Sequence, residues 1–397
     1  MRYNWPTILG LLLGFVVPIL VLGNFHKIRE QFRSIYHGSS ERADTFAGSL
    51  VFCNRNSNLI VEIVVYTELV SRKSPFYTIA NDTQTCYARR HGYRLIHIDP
   101  DRSETARYTR LCNQKSVFFR KHCAIAEFLS FESQRRTIEQ SANITTTHWV
   151  LVLDADTGVL NPNHCIEEYI DDSVNLVFYE RFYNFEIAAG NYLIKNTPYS
   201  RRFLVKWAHY DQAVQSTDHF KSYDQGALHL LLLDELFVGR DKLVLEQERC
   251  EKMWRSSQSM REYFAFVTCC RVTLGARRQF QPYVKLLRRG HAWVIDKQVT
   301  RNRWCLQMFM IHDWKLPTET KRADFYFLRA PAGDGECAES SSAPWPHRPE
   351  NRISCDEMKT ILTAEERRSQ RSRELKLAWL VPYLTQPDAA DCWPYCA

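Results

Sequence analysis

Two aspartates one residue apart, Asp154 and Asp156, close an apolar run in His148 to Asn163, HWVLVLDADTGVLNPN. Carboxylates at that spacing can grip one divalent cation, and a cation so held can neutralise a diphosphate. About one Asp-x-Asp is expected by chance in a chain of this length. This chain has two, because Asp99-Pro100-Asp101 also qualifies. Context separates them: Pro100 and Arg102 predict a solvated turn for the first. Asp154 and Asp156 instead follow the strongly apolar Trp149 to Leu153 and precede Gly158 and Asn161-Pro162. Carboxylates delivered by a buried strand are costly unless a cation or hydrogen bonds compensate. A structural turn or cap is the competing reading.

Three further groups could join that chemistry. In Ala188 to Asn196, AAGNYLIKN, Gly190 admits close approach of a backbone or ligand, and Asn191 both donates and accepts. A β-bulge beside a strand has the same look. In Ser222 to Gly226, SYDQG, Asp224 and Gln225 open a helix, where an acid suits either a substrate or a plain N-cap. Phe309 to Lys315, FMIHDWK, ends another apolar run. The imidazole of His312 can complete a metal shell begun by carboxylates, and Lys315 can face a phosphate. A histidine after a strand is also common as a purely structural residue.

These groups need a scaffold. Leu59 to Thr67, LIVEIVVYT, and Tyr93 to Ile98 read as strands. Pro75 to Arg90, stopped at His91-Gly92, and Lys115 to Phe131 read as helices. With Trp149 to Leu153 the alternation predicts an α/β domain: three-layer α/β/α, Rossmann-like, with a mixed, mostly parallel sheet. Ligands bind outside the carboxyl ends of such strands. Further on, the pattern predicts strands at Asn175 to Tyr179, Tyr192 to Lys195, Phe264 to Leu274, Trp293 to Asp296 and Trp304 to Ile311. Helices are expected at Arg201 to Tyr210, Ser222 to Leu236 and Met358 to Leu380. Ala330 to Arg352, rich in Pro, Gly, Ser and charge, reads as an exposed extension.

The composition is globular, with 45% hydrophobic and 24% charged residues, and a formal charge of +7 is mild for 397 residues. Short arginine clusters such as Arg277-Arg278 read as solvated faces, so nucleic acid is not an expected partner. Aromatics reach 13%, which suits either a large core or the handling of sugar rings. Trp5 to Gly23 carries no charge and is long enough to span a bilayer. The expected order is a short cytoplasmic tail (1–4), a signal-anchor (5–23), a stem (24–58), a catalytic domain (59–316) and a C-terminal extension (317–397). A cleaved signal peptide, ending near Val21-Leu22-Gly23, would make the protein secreted. Lys27, Arg29 and Arg33 after the span favour a cytoplasmic bulk. Against them stand the sequons Asn81-Asp82-Thr83 and Asn143-Ile144-Thr145 and 13 cysteines, all beyond the apolar segment. No two cysteines stand as C-x-x-C, and their odd number leaves at least one thiol outside intrachain pairing. Cys392 and Cys396 are placed to pin the tail. A lumenal or extracellular bulk is the expectation.

Taken in order, the apolar strand with Asp-x-Asp, the Gly-Asn strand, the Asp-Gln helix and the late histidine resemble GT-A nucleotide-sugar glycosyltransferases. The resemblance is to the galactosyltransferase family that includes fungal mannan galactosyl- and mannosyltransferases and plant xyloglucan xylosyltransferases. It is closer still to the nematode-expanded family called domain of unknown function 273, and it covers roughly Leu59 to Lys315. It implies a GT-A-like fold and transfer of a hexose or pentose from a nucleotide-diphosphate sugar to a glycan hydroxyl, with retention of configuration. It further implies Mn²⁺ or Mg²⁺ on Asp154, Asp156 and His312; Asp156, further out along the strand end, is expected as the direct ligand, with contact to the ribose or donor sugar the alternative role for Asp154. Gly190, Asn191 and Lys315 would border the donor, and Asp224 and Gln225 the transferred sugar. With the apolar segment, the sequons and the cysteines, a Golgi or ER membrane protein with a lumenal catalytic domain is expected. The alternatives are a catalytically idle glycan- or partner-binding protein of the secretory pathway and a metal-dependent phosphohydrolase.

Overall fold

The computed structural model describes residues 53, 58–68, 77–139, 146–182, 184–214, 220–237, 241–315, 326–331, 335–370 and 393. The apolar segment 5–23, nearly all of the stem, Asn143, Cys392 and Cys396 lie outside them.

The first half follows the alternation in the sequence: β1 (Leu59–Tyr66), α1 (Thr78–His91), β2 (Arg94–Ile98), α2 (Val117–Glu139) and β3 (Thr147–Leu153). Helix α1 stops where Gly92 takes the left-handed conformation at φ 59°, and its N–H returns to Arg89 O at 3.2 Å. Only glycine adopts that conformation without steric cost. There follow β4 (Gly158–Val159), β5 (Leu176–Tyr179), β6 (Tyr192–Lys195), α3 (Pro198–His209), α4 (Asp211–Val214), α5 (Tyr223–Leu236), α6 (Asp241–Ser256) and α7 (Met260–Leu274). The last elements are β7 (Gln279–Phe280), β8 (Val284–Leu287), β9 (Val294–Asp296), α8 (Lys297–Thr300), β10 (Met310–His312) and α9 (Cys355–Gln370).

Seven strands form one sheet in the order β2-β1-β3-β6-β5-β8-β7. The sheet is mixed. Pairs β2/β1, β1/β3 and β5/β8 are parallel, while β3/β6, β6/β5 and β8/β7 are antiparallel. The mixed sheet expected from the sequence is therefore found, with its unbroken parallel run at β2-β1-β3 and parallel and antiparallel pairings equal in number. A small second sheet, β4-β10-β9, carries the late histidine strand.

Alternate residues of the central strand β3 feed two cores. Trp149, Leu151 and Leu153 face one, with α1, the small sheet and α9; Val150 and Val152 face the other, with α2, α3, α5 and α7. The result is three layers. A slip of one residue would exchange these faces, so burial on both sides fixes the register and with it the place where Asp154 emerges.

Three expectations change. Phe264 to Leu274 is not a strand but the body of α7. Its buried Tyr263, Phe266, Val267, Cys270, Arg271 and Leu274 recur at helical spacing, and Ser259 caps the helix by accepting from Glu262 N at 3.3 Å. Helical periodicity and a cap outweigh the strand preference of Phe, Val and Thr. Trp304 to Ile311 yields strand only at Met310–His312, because Cys305 is tied to Cys355 on α9. Ala330 to Arg352 is not wholly an exposed extension: Cys337 and Trp345 are buried in the first core beside the preceding Tyr326 and Phe327, and Arg90 Nη2 on α1 donates to Ala343 O at 2.6 Å.

Among the described residues five disulfides form: Cys53–Cys165, Cys86–Cys337, Cys112–Cys123, Cys250–Cys269 and Cys305–Cys355. Cys270 is a buried free thiol. No helix among the described residues is long and apolar enough to cross a membrane.

Candidate active site

Strand β3 ends at Leu153 and the chain turns at once, with Thr157 N donating to Asp154 O at 3.0 Å. Asn191, entering the neighbouring β6, locks this turn. Its Oδ1 accepts from Asp154 N at 3.0 Å and from Thr157 Oγ1 at 2.8 Å. From the other side Gln84 of α1 donates to Thr157 O at 2.6 Å. Gly190 is required by proximity, because a Cβ there would fall onto the Asp154 carboxylate. The Gly-Asn pair thus acts as the mould of the Asp154 turn.

The antiparallel pairing of β10 with β4 brings His312 over that turn. Its Nε2 lies 3.5 Å from Asp154 Oδ2 and 3.5 Å from Asp156 Oδ1. One ligand atom from each of Asp154, Asp156 and His312 lies within 4.8 Å of the others. Lys315 Nζ reaches Asp156 Oδ2 at 2.9 Å and Asp313 at 3.1 Å at the exposed rim. The structure thus brings the late histidine and both aspartates together. Asp99 does not join them; its Oδ1 accepts from Asp101 N at 2.9 Å in a local turn.

Residues not singled out from the sequence complete the arrangement. Asp296 stands beside His312 in the β9/β10 register and accepts from its Nδ1 at 2.9 Å. That bond aims Nε2 at the two aspartates, as a carboxylate behind a ligating histidine does. Arg181 holds Asp296 in turn, with Nη2 at 3.0 Å and Nε at 3.3 Å. Asp296 ends the short apolar strand Val294–Asp296, the same signal that marked Asp154, in a run of only three residues.

On the opposite side of Asp154, Lys121 of α2 is buried with Nζ 3.0 Å from Asp154 Oδ1 and 3.6 Å from Asp224 Oδ2. His122 Nε2 lies 3.0 Å from the same Asp224 oxygen, and its Nδ1 is 3.1 Å from Tyr192 OH. The imidazole stacks on Trp207 with ring centroids 3.5 Å apart. Gln225 spends both ends of its amide on the backbone. Its Oε1 accepts from Ala189 N at 3.1 Å and its Nε2 donates to Ile187 O. It clamps the strand segment that leads into Gly190. Lys121 and His122 are adjacent residues in a helix of mixed polar and apolar character, which gives no motif to detect.

The charges follow from this packing. Burial alone would lower the His312 pKa, but Asp156, Asp154 and Asp296 outweigh it and raise it to about 10. Burial would raise Asp154, yet Lys121 and His312 hold its carboxyl well below the usual range. Asp296 is held low by Arg181 and His312 in the same way, against burial. Burial lowers His122 to about 4 despite Asp224, so it is neutral at physiological pH. Two carboxylate oxygens and an oriented imidazole are a donor set that a divalent cation accepts. Asp154, Asp156 and His312 would hold it.

A family model described as "Protein of unknown function, DUF273" matches residues 84–326, well over half of the chain. The chain belongs to the DUF273 family. The match takes in every site residue named above. No curated protein matches the sequence. Among solved structures, one similar chain is described as a glycosyltransferase involved in the glycosylation of the major capsid of PBCV-1. It is 11% identical, covers 63% of this chain and 93% of that chain, and superposes with a TM-score of 0.36. An overlap at that level establishes no shared activity. What the DUF273 chain can do chemically has to come from its site.

Proposed function

We propose that this DUF273 protein is a metal-dependent glycosyltransferase of the GT-A type, moving a sugar from a nucleotide-diphosphate donor to a glycan hydroxyl. The observation that carries the reading is the meeting of Asp154, Asp156 and His312 at the carboxyl end of the central strand, with Asp224 one ammonium group away across Lys121. A bound divalent cation would supply charge neutralisation to the diphosphate leaving group. Lys315, at the exposed rim, adds a mobile positive charge for the same phosphates. Asp224, held on its buried side by His122 and Lys121, keeps its charge directed at the transferred sugar, where it accepts hydroxyl hydrogen bonds and favours positive character at the anomeric carbon. Gly190 and Asn191 keep the Asp154 turn in register beneath the donor. Retention of configuration belongs to the proposal, as does a Golgi or ER membrane protein with a lumenal domain. Five disulfides accord with an oxidising compartment.

The test is a panel of nucleotide sugars offered to the full-length protein with Mn²⁺ or Mg²⁺, reading nucleotide diphosphate release. One donor should be hydrolysed only with metal, and Asp154→Asn and Asp156→Asn should each lower the rate at least tenfold. Metal-independent release, or variants as active as the wild type, would overturn the reading. Donor binding without turnover would instead indicate an idle, glycan-binding descendant.

A further inference from the structure

Exposed apolar side chains carry meaning where they meet in a patch, and Phe118 and Tyr223 are 46% and 51% exposed. The two rings meet, with centroids 5.1 Å apart and planes tilted by 36°. Their position in the chain is specific. Phe118 precedes Lys121 and His122 by three and four residues on α2, which puts all three on one helix face. Tyr223 immediately precedes Asp224. The aromatic pair therefore borders the Asp224 end of the site, whereas His312, Asp156 and Lys315 lie beyond Asp154 at the other end.

The support beneath the rings is firm. The entry to α2 is held from α4, where Asp211 accepts from Lys115 N at 2.9 Å and from Ser116 N at 3.1 Å. Ser222 and Tyr223 both take left-handed backbone conformations, at φ 53° and 44°, although neither is glycine. Such conformations persist only where the surroundings over-determine them, and they gather at ligand sites. Here Trp254 Nε1 donates to Lys221 O at 2.9 Å and Gly226 N to Ser222 O at 3.0 Å, pinning the turn on both sides. The turn raises the Tyr223 ring to the surface while Asp224 stays buried.

We infer that Phe118 and Tyr223 form a stacking platform for a pyranose ring, the acceptor sugar of this protein. A pyranose presents an apolar C–H face to aromatic rings and hydroxyl groups at its edge. The rings supply the first surface, and Asp224, with 8% of its side chain exposed, follows Tyr223 directly in the chain. A nucleobase also stacks on aromatic rings. However, a base follows the diphosphate, and the contacts link His312 and Asp156 to Asp224 only by way of Asp154 and Lys121. The word acceptor rests on the transferase reading; the sugar platform itself does not.

The experiment is saturation-transfer NMR on full-length protein with N-glycan, mannan, galactan and chitin oligosaccharides, and with uridine and guanosine monophosphate for comparison. No donor is present, so absence of donor hydrolysis would sink the transferase reading while leaving this result intact. At least one oligosaccharide should bind, and Phe118→Ala and Tyr223→Ala should each weaken it at least tenfold with unchanged circular dichroism. Tyr223→Phe, which keeps the ring, should retain binding. The platform is refuted if no oligosaccharide binds at millimolar concentration, if the alanine variants bind as well as wild type, or if only nucleotide binding is lost.

Discussion

At residue 190 the site is sensitive to a single methyl group. A Cβ there would overlap the Asp154 carboxylate, which is also held by Lys121 and faces His312. Gly190→Ala is expected to push that carboxylate out of place, at a cost of about 1–3 kcal/mol from overpacking. Urea denaturation should show the loss, and Mn²⁺ affinity should fall at least tenfold; unchanged values for both would mean that the turn is not the mould described above. Asn191→Ala removes the acceptor for Asp154 N and Thr157 Oγ1 and should cost a similar ~1–3 kcal/mol. Asp154, Asp156 and His312 were legible in the sequence because each lies at or just beyond the end of an apolar run. Lys121 and His122 were not, because helix α2 surrounds them with ordinary core spacing and only the fold turns that face toward Asp224.

The elements were legible to the extent that local pattern and tertiary packing agree. Strand β3 is buried on both faces and could be read directly. Helix α7 was misread because its aromatic and β-branched residues favour strand, while the contacts that decide the matter come from α5 and α6. The C-terminal segment was misread for a related reason: its polar, proline-rich composition hides Cys337 and Trp345, which reach the core alongside Cys86 of α1. That disulfide has a consequence at the site, since α1 also supplies Gln84 to the Asp154 turn. The double variant Cys86→Ala, Cys337→Ala is expected to lose about 2–4 kcal/mol of stability. A lower urea midpoint, with a steeper slope as the unfolded chain expands, would record it, and an unchanged midpoint would mean the bridge contributes nothing.

For the molecule as a whole, burial of ionisable groups sets a pH dependence. Burial lowers His122 to about 4 and His229 to about 3, and both are fully buried. Unfolded histidine takes up a proton near pH 6.5. Between that pH and the folded values the unfolded chain binds more protons, so stability falls as the solution is acidified, by up to about 1.4 kcal/mol per pH unit for each histidine. Glu62 and Glu180 extend the loss to lower pH. Despite burial, His148 and Arg94 hold Glu62 near 2, and Arg271 and Arg278 hold Glu180 near 2, so their stabilisation disappears as pH drops from about 4.5 toward 2. Urea midpoints measured from pH 7.5 to 4 should decline steadily below about 6.5; a flat profile would contradict the burial of these groups. The central claim, that Asp154, Asp156 and His312 form one cation site, is tested most directly by titrating Mn²⁺ alone into full-length protein in a calorimeter. One ion per chain is predicted, with affinity at least tenfold weaker in Asp156→Asn and in His312→Ala. Binding that is absent in the wild type, or unaltered in both variants, would contradict the account.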